Sequence, residues 1–201
     1  MPALRKTIVL FCTFLCILSS PPAYPVQPGY TQTTQRPVQW ATPINAQFNL
    51  FQIDTDLYRS QQPQPQNLDQ IKALGIRTVI SFRAFHSDDL VIQAPEIMLI
   101  RIPINTWHIK DRHIIAALDA IQQARQNGPV LIHCQHGADR TGLVSAMYRV
   151  IYQGWQKEDA LKEMTEGGYG YHSIWTNIPR YLEQANIQEL QQQLRYPPER
   201  N

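Results

Sequence analysis

The stretch PVLIHCQHGADRTG, residues 129–142, joins an apolar run of strand length to a polar segment that contains glycine. The apolar residues Val130, Leu131 and Ile132 are typical of a buried strand. Beyond it, apolar residues recur at helical spacing from Leu143 to Val150, and Gly154 ends the pattern, which predicts an amphipathic helix. The stretch therefore predicts a strand, a turn and a helix, with Cys134 at the carboxyl end of the strand.

Strands and helices alternate through the rest of the chain. Before the quoted stretch, the sequence predicts a hairpin (FNLFQI, 48–53, with LYRS, 57–60) and a short helix (NLDQIKALG, 67–75). Two strands (RTVISFR, 77–83, and IMLIRIPI, 97–104) and a second helix (111–126) follow. After Gly154 we expect two or three more helices. This order predicts an α/β fold with a central, mainly parallel sheet flanked by helices. Ligands bind such sheets outside the carboxyl ends of the strands, which is where Cys134 is placed.

The length and the first residues indicate one exported domain. A chain of 201 residues with 43% hydrophobic residues is long enough for one buried core. Residues 1–23 have a basic start and an apolar run from Thr7 to Leu18, which predicts a signal peptide and export to a periplasm or the medium. An uncleaved anchor is the alternative, although the run is shorter than the ~20 residues of a spanning helix. We expect a lead-in rich in Pro, Gln and Thr over 24–46 and the domain over 47–201.

Charge and cysteine content exclude several classes of protein. The formal net charge is +2, and removal of Arg5 and Lys6 with the leader leaves as many basic as acidic residues. We therefore predict that the mature chain has no nucleic-acid partner and does not insert stably into a membrane. Of three cysteines, only Cys134 lies outside the leader, which excludes a disulfide framework.

Cys134 could be a structural thiol, a metal ligand or a nucleophile. His133 and His136 lie beside it, but no second ligand cluster with zinc spacing is visible, so no metal is predicted. A loop from a strand into a helix presents backbone N–H groups and a positive helix end to an anion. Such a field also favours a cysteine thiolate.

The residues after Cys134 fit a phosphate-binding loop. Gly137 lets the backbone bend tightly and approach closely, and the Arg140 guanidinium suits bidentate binding of phosphate oxygens. Thr141 can donate its hydroxyl to the sulfur, and His133 is expected to order the loop through hydrogen bonds. A thiolate beneath a bound phosphate is placed for in-line attack.

HCQHGADRTG resembles the H-C-x5-R-[ST] signature of the cysteine-dependent protein tyrosine and dual-specificity phosphatases, and looks closest to small bacterial members. LYRSQQP (57–63), GIRTVISFR (75–83) and AMYRVIYQGWQKEDALKEM (146–164) support the resemblance more weakly. It implies a phosphocysteine on Cys134, no metal or other cofactor, and a phosphorylated protein or phosphoinositide as substrate. The transferring group would be held by the loop residues Gln135, His136, Gly137, Ala138, Asp139 and Arg140.

The general acid departs from the usual pattern of the resembling family. Its Asp normally lies on a loop that corresponds to RIPINTWHIK, 101–110, where this chain has no carboxylate. GADRTG is similar to loops of myotubularin lipid phosphatases and of some secreted bacterial tyrosine phosphatases, in which the loop Asp is implicated as acid. Asp139 is therefore either the acid or a partner that orients Arg140. Asp111 is an alternative acid, or a helix N-terminal residue favoured by the dipole.

Other functions remain as alternatives. A phosphoinositide phosphatase would use the same loop, although Ala138 stands where some lipid phosphatases carry Lys. A rhodanese-like sulfurtransferase also places a cysteine in an anion loop, but Gly137 and Thr141 fit phosphatases better. A non-catalytic phosphate-binding module would not need the intact Cys134, Arg140 and Thr141. For Arg59 and Arg83, each at the end of a strand-like run, we favour a surface or structural ion pair over contact with an anionic substrate.

Overall fold

A six-stranded sheet forms the centre of the structure, a computed structural model that describes residues 36–195. The strands are β1 (Thr42–Asn45), β2 (Leu50–Gln52), β3 (Leu57–Ser60), β4 (Thr78–Ser81), β5 (Met98–Arg101) and β6 (Val130–His133). They lie in the order β1-β2-β3-β6-β4-β5. β3, β6, β4 and β5 are parallel to one another, whereas β2 is antiparallel to β1 and β3. The predicted mainly parallel sheet is confirmed.

Helices cover both faces of this sheet. Within the described range they are α1 (Leu68–Ala73), α2 (Asp111–Arg125), α3 (Asp139–Gln153), α4 (Lys157–Glu166), α5 (Asn177–Gln184) and α6 (Ile187–Arg195). Side chains of β6 alternate between the faces: Leu131 joins the cluster of α1, whereas Val130 and Ile132 join the cluster of the other five helices. The central parallel strands β3, β6 and β4 are thus buried on both sides, as is usual for parallel sheets.

The strand ends align beside the quoted loop. Ser60 of β3 and Ser81 of β4 both pair in register with His133, the last residue of β6. Because β6 lies between β3 and β4, the residues that follow it emerge between two neighbouring strand ends. Cys134 therefore lies at the carboxyl edge of the sheet, where α/β folds bind ligands.

The sheet begins before Gln47, the predicted start of the domain. Residues 42–45 form β1 and pair with β2, and the backbone N–H of Ala41 donates to buried Glu163 at 2.6 Å. The sequence hides this strand because it is a largely exposed edge without apolar alternation, and it contains Pro43, which is tolerated only at sheet edges. The predicted leader, 1–23, and the first part of the lead-in lie outside the described residues.

None of the helices found between residues 36 and 195 has both the length and the apolar character that crossing a bilayer demands.

Candidate active site

The loop 134–138 connects β6 to α3 and is pressed against the end of β3. Gly137 has a φ of 71°, which side chains disfavour. A Cβ at this position would lie 2.5 Å from both the carbonyl carbon and the oxygen of Ser60. Only glycine fits here, because the loop backbone at this residue lies directly against the backbone at the end of β3.

The carbonyl groups of residues 134–137 each accept a hydrogen bond from a residue outside the loop. The donors to the four carbonyl oxygens are His133 Nδ1 to Cys134 at 3.0 Å, Gln62 N to Gln135 at 3.1 Å, Asn49 Nδ2 to His136 at 2.8 Å and Arg59 Nη2 to Gly137 at 2.7 Å. In a trans peptide the N–H points opposite to the carbonyl, and the described chain has no cis bond. The N–H groups of residues 135–138 therefore point away from these donors, and they donate to no group in the described part of the chain. Four free amides in one turn form an oxyanion cradle.

His133 ties the loop to a distant carboxylate. The ring is fully buried, with Nδ1 3.0 Å from the Cys134 oxygen and Nε2 2.7 Å from Asp88 Oδ2. The ring therefore bridges the main chain of the loop and the Asp88 carboxylate. Burial acts to raise the pKa of Asp88, but the hydrogen bond and charge of His133, with hydrogen bonds from Gln62 and Ser81, outweigh it and lower this pKa.

Arg59 is a structural residue. It is 1% exposed, holds the Gly137 carbonyl, and its guanidinium carbon lies 3.6 Å from the centre of the Tyr169 ring. A cation held against an aromatic face is favourable once it is desolvated. Arg59 therefore fixes the loop from below, through a carbonyl and a ring rather than the ion pair that the sequence favoured.

The nucleophile candidate lies at the base of the cradle. Cys134 is 1% exposed and precedes the N-terminus of α3, whose partial positive charge attracts anions. The Thr141 hydroxyl is buried, and no hydrogen-bond partner for it occurs among residues 36–195. Among these residues it does not hydrogen-bond to the Cys134 sulfur either, so the predicted role of Thr141 stays a prediction.

Arg140 reaches from α3 across the ends of β4 and β5. Its Nη1 donates to the carbonyl oxygens of Phe82 and Ile104 at 3.3 and 3.4 Å, and its buried Nε has no partner in the described chain. Burial and the like charge of Arg140 lower the pKa of Arg83, against the opposing effects of Asp88 and Cys134. Two guanidinium groups and a potential thiolate therefore lie within electrostatic range of one another.

A pocket of about 490 Å³ opens above the loop. Arg83 and Arg140 supply its positive charge, and its rim is apolar. Its lining comprises Arg83, Ala84, Phe85, His86, Asn105, Thr106, Trp107, Gln135, His136, Asp139, Arg140, His172, Ile174 and Trp175. A larger groove of about 660 Å³ between β5 and α2 has mostly apolar walls and contains no residue of the loop. The smaller pocket is therefore the candidate active site.

Asp139 is bound by His172. Its carboxylate accepts the backbone N–H of His172 at 3.0 Å and lies 2.9 Å from His172 Nδ1. No hydrogen bond or ion pair links Asp139 to Arg140 in the described structure. The structure therefore lends no support to Asp139 as the partner that orients Arg140, since two main-chain carbonyls accept hydrogen bonds from that guanidinium.

Asp111 lies at the first turn of α2 and outside the pocket. Its Oδ1 accepts the Tyr181 hydroxyl at 2.7 Å, and burial followed by this bond raises the pKa of Tyr181. Asp111 thus joins α2 to α5 instead of facing the loop. Asp139 is the one carboxylate among the described pocket-lining residues.

Sequence reasoning missed the residues that support the loop from afar. Asn49, Asp88 and His172 contact it across 87, 45 and 33 positions of sequence respectively. None belongs to a local motif, and a single sequence shows no pairing over such distances. The glycines of EGGYGYH, 166–172, predict a turn near His172, but they do not indicate which residue His172 contacts.

Comparison with known proteins places this geometry among phosphatases. The family model described as "Tyrosine phosphatase family" matches residues 45–197. The dual specificity protein phosphatase TpbA of Pseudomonas aeruginosa is 34% identical over 166 residues, which are 83% of this chain and 75% of that protein. The crystal structure of TpbA in complex with pTyr matches with a TM-score of 0.75 at 32% identity, over 80% of this chain and 99% of that one.

A more distant relative is named for a different substrate. The inositol diphosphatase DSP3 of Arabidopsis thaliana is 30% identical over 124 residues, which are 57% of this chain and 60% of that protein. The catalytic domain of the S. cerevisiae PP-IP phosphatase SIW14 has a TM-score of 0.59 at 20% identity, over 75% of this chain and 94% of that one. At that identity the likeness concerns the fold alone.

Proposed function

This chain belongs to the tyrosine phosphatase family, and we propose that it removes phosphate from phosphotyrosine-containing proteins through a phosphocysteine on Cys134. The observation that carries the proposal is the set of four loop carbonyls bound from outside, which leaves the N–H groups of residues 135–138 free for phosphate oxygens. Helix α3 adds the positive end of its dipole.

The reaction takes two steps. The Cys134 sulfur forms a bond to phosphorus as the bond from phosphorus to the leaving oxygen breaks, and that oxygen takes a proton. Water then attacks the phosphocysteine, the sulfur–phosphorus bond breaks and the thiolate returns. The loop amides and Arg140 stabilise the charge of the transferring group in both steps, and the Thr141 hydroxyl stabilises the departing sulfur.

Asp139 and His172 supply the leaving-group proton in this proposal. Asp139 lines the pocket and is hydrogen-bonded to the His172 ring, and carboxyl and imidazole groups are the side chains that most often act as general acids. This pair takes the place of the carboxylate that the stretch 101–110 lacks.

The rim of the pocket favours phosphotyrosine over inositol phosphates. Phe85, Trp107 and Ile174 line it and are 79%, 64% and 79% exposed. Exposed apolar side chains around a polar centre are typical of binding sites for apolar groups. A phosphotyrosine peptide offers an aromatic ring and flanking side chains to this rim, whereas an inositol phosphate offers hydroxyls and charges.

A substrate panel in EDTA tests the proposal. Phosphotyrosine and phosphoserine peptides, an inositol pyrophosphate and a phosphoinositide are compared, with Cys134→Ser as control. We expect the highest kcat/KM on phosphotyrosine peptides, no turnover by the variant, and a phosphoryl adduct on Cys134 in quenched wild-type protein. Turnover by the Cys134→Ser variant would overturn the mechanism. Preferred turnover of the inositol compounds would overturn the substrate, and sulfur transfer from thiosulfate to cyanide would favour the sulfurtransferase.

We also propose that the mature enzyme acts outside the cytoplasm. The support is the basic and apolar pattern of residues 1–23. Cell fractionation and N-terminal sequencing of the mature protein test it, and an intact Met1 on cytoplasmic protein would contradict it.

A further inference from the structure

Three side chains with metal-binding atoms meet at the mouth of the pocket. His136, Asp139 and His172 each offer one ligand atom, and these atoms all lie within 4.8 Å of one another. Both histidines are exposed, whereas Asp139 is buried. Solvent therefore reaches the cluster from one side, while its carboxylate is fixed in the protein.

The donor set and its spacing suit zinc. Two imidazoles and one carboxylate, with a fourth position left open, form a common zinc environment. Zinc bonds to such atoms are about 2.0–2.2 Å long, so two ligands at the tetrahedral angle lie about 3.3 Å apart. His172 Nδ1 is 2.9 Å from one Asp139 oxygen and 3.2 Å from the other. If an ion replaced the proton between Asp139 and His172, the Asp139 oxygen and His172 Nδ1 would have to move by only a few tenths of an ångström.

The third ligand is held by its backbone and free at its ring. Asn49 binds the His136 carbonyl, so the residue is fixed in place. Its ring lies 5.1 Å from the His172 ring, centre to centre, and makes no hydrogen bond within the described range. A side-chain rotation can therefore bring it onto the ion without distortion of the loop.

The nearby cations do not compete for this place. Arg83 lines the same pocket but is engaged by Gln62 and His86, and Arg140 is engaged by two carbonyls. The Asp139 carboxylate offsets part of the charge of an entering ion.

We propose that His136, Asp139 and His172 form a binding site for a divalent transition-metal ion, with Zn²⁺ the best match, and that the bound ion inhibits the phosphatase reversibly. The ion engages the pair assigned to leaving-group protonation and narrows the entrance. The claim that the bound ion inhibits the enzyme rests on the proposed function, whereas the claim that the ion binds does not.

Binding is tested in full-length protein that carries Cys134→Ser, so that sulfur cannot contribute. Zn²⁺ is titrated by calorimetry, and Co²⁺ is used as a probe because its visible absorption reports tetrahedral coordination. We expect one equivalent to bind, and His136→Ala or His172→Ala to weaken binding by roughly tenfold or more. His108→Ala is the matched control, because His108 is exposed and outside the cluster. Folding of each variant is checked by circular dichroism. Equal affinity in all variants, or no binding, overturns the proposal.

Inhibition is tested separately on Cys134-containing protein, with each variant normalised to its own rate without metal. We expect Zn²⁺ to inhibit the wild type, EDTA to restore activity, and His136→Ala to raise the inhibitory concentration by roughly tenfold. If His136→Ala left the inhibition unchanged, the inhibiting ion would be bound to the thiolate. The claim that this site regulates the enzyme would then be overturned. If no variant dephosphorylates any substrate, the proposed function fails, while the calorimetric result still decides the metal site.

Discussion

In the proposed mechanism the general acid is Asp139, which is bonded to His172 and lies at the start of α3, directly after the loop. The substitution Asp139→Asn keeps the shape of the side chain and removes the acidic proton of its carboxyl group. Loss of a general acid costs about 10²-fold or more when the leaving group is basic. We expect kcat/KM of Asp139→Asn to fall by about that factor on an alkyl phosphate and by less than about tenfold on p-nitrophenyl phosphate, whose leaving group hardly needs a proton.

Asp111→Asn is the matched control for this experiment, since Asp111 bonds to Tyr181 outside the pocket. It should change the two rates little and equally. Equal losses on both substrates in Asp139→Asn would argue that Asp139 only shapes the loop, and a leaving-group dependence in Asp111→Asn would move the acid to α2.

At the scale of the elements, two glycines with nearly the same φ allow the effect of backbone strain to be separated from that of a close contact. Gly137 and Gly154 have φ of 71° and 70°. A Cβ on Gly137 would meet Ser60 at 2.5 Å, whereas one on Gly154 meets nothing within 4 Å. Gly137→Ala should lower activity by about 10²-fold or more, because the cradle must move off β3 and positioning errors of about 1 Å cost that much. Gly154→Ala should cost about 1 kcal/mol of stability and keep the activity.

Rate assays and urea denaturation of the two variants measure these effects. If Gly137→Ala were as active as Gly154→Ala, the contact between the loop and the end of β3 would not position the cradle.

Local patterns explain which elements the sequence could predict. β6 and α3 were predictable because an apolar run and a helical repeat flank the loop, and the loop because its residues act within a few positions of Cys134. β1 was not, since an exposed edge strand buries too little to need an apolar pattern. Arg59, Asp88 and His172 were not either, because their partners are distant in sequence and polar residues carry no periodic signal.

For the molecule as a whole, Glu163 joins parts of the chain that lie far apart in sequence. Its carboxylate receives Nε and Nη2 of Arg149 at 2.9 and 3.0 Å, the backbone N–H of Ala41 at 2.6 Å and the Tyr169 hydroxyl at 2.9 Å. Tyr169 in turn covers Arg59, which holds the Gly137 carbonyl. The segment before β1, helices α3 and α4, and the cradle therefore share one buried carboxylate.

This network makes stability depend on pH. Burial acts to raise the pKa of Glu163, but hydrogen bonds and charge from Arg149, with the bonds from Ala41 and Tyr169, outweigh it and lower this pKa below its ordinary value of 4.5. Because the folded pKa is depressed, the stabilisation is fully present above the unfolded value and is lost as the pH falls through the folded one. Glu163→Gln leaves the buried Arg149 charge unpaired and should reduce the free energy of unfolding by about 3–5 kcal/mol at pH 7. Urea denaturation at pH 7 and at several values below 4.5 measures the difference between wild type and variant, which should shrink toward the acid end. A difference that stayed constant with pH would show that Glu163 does not carry this charge in the folded protein.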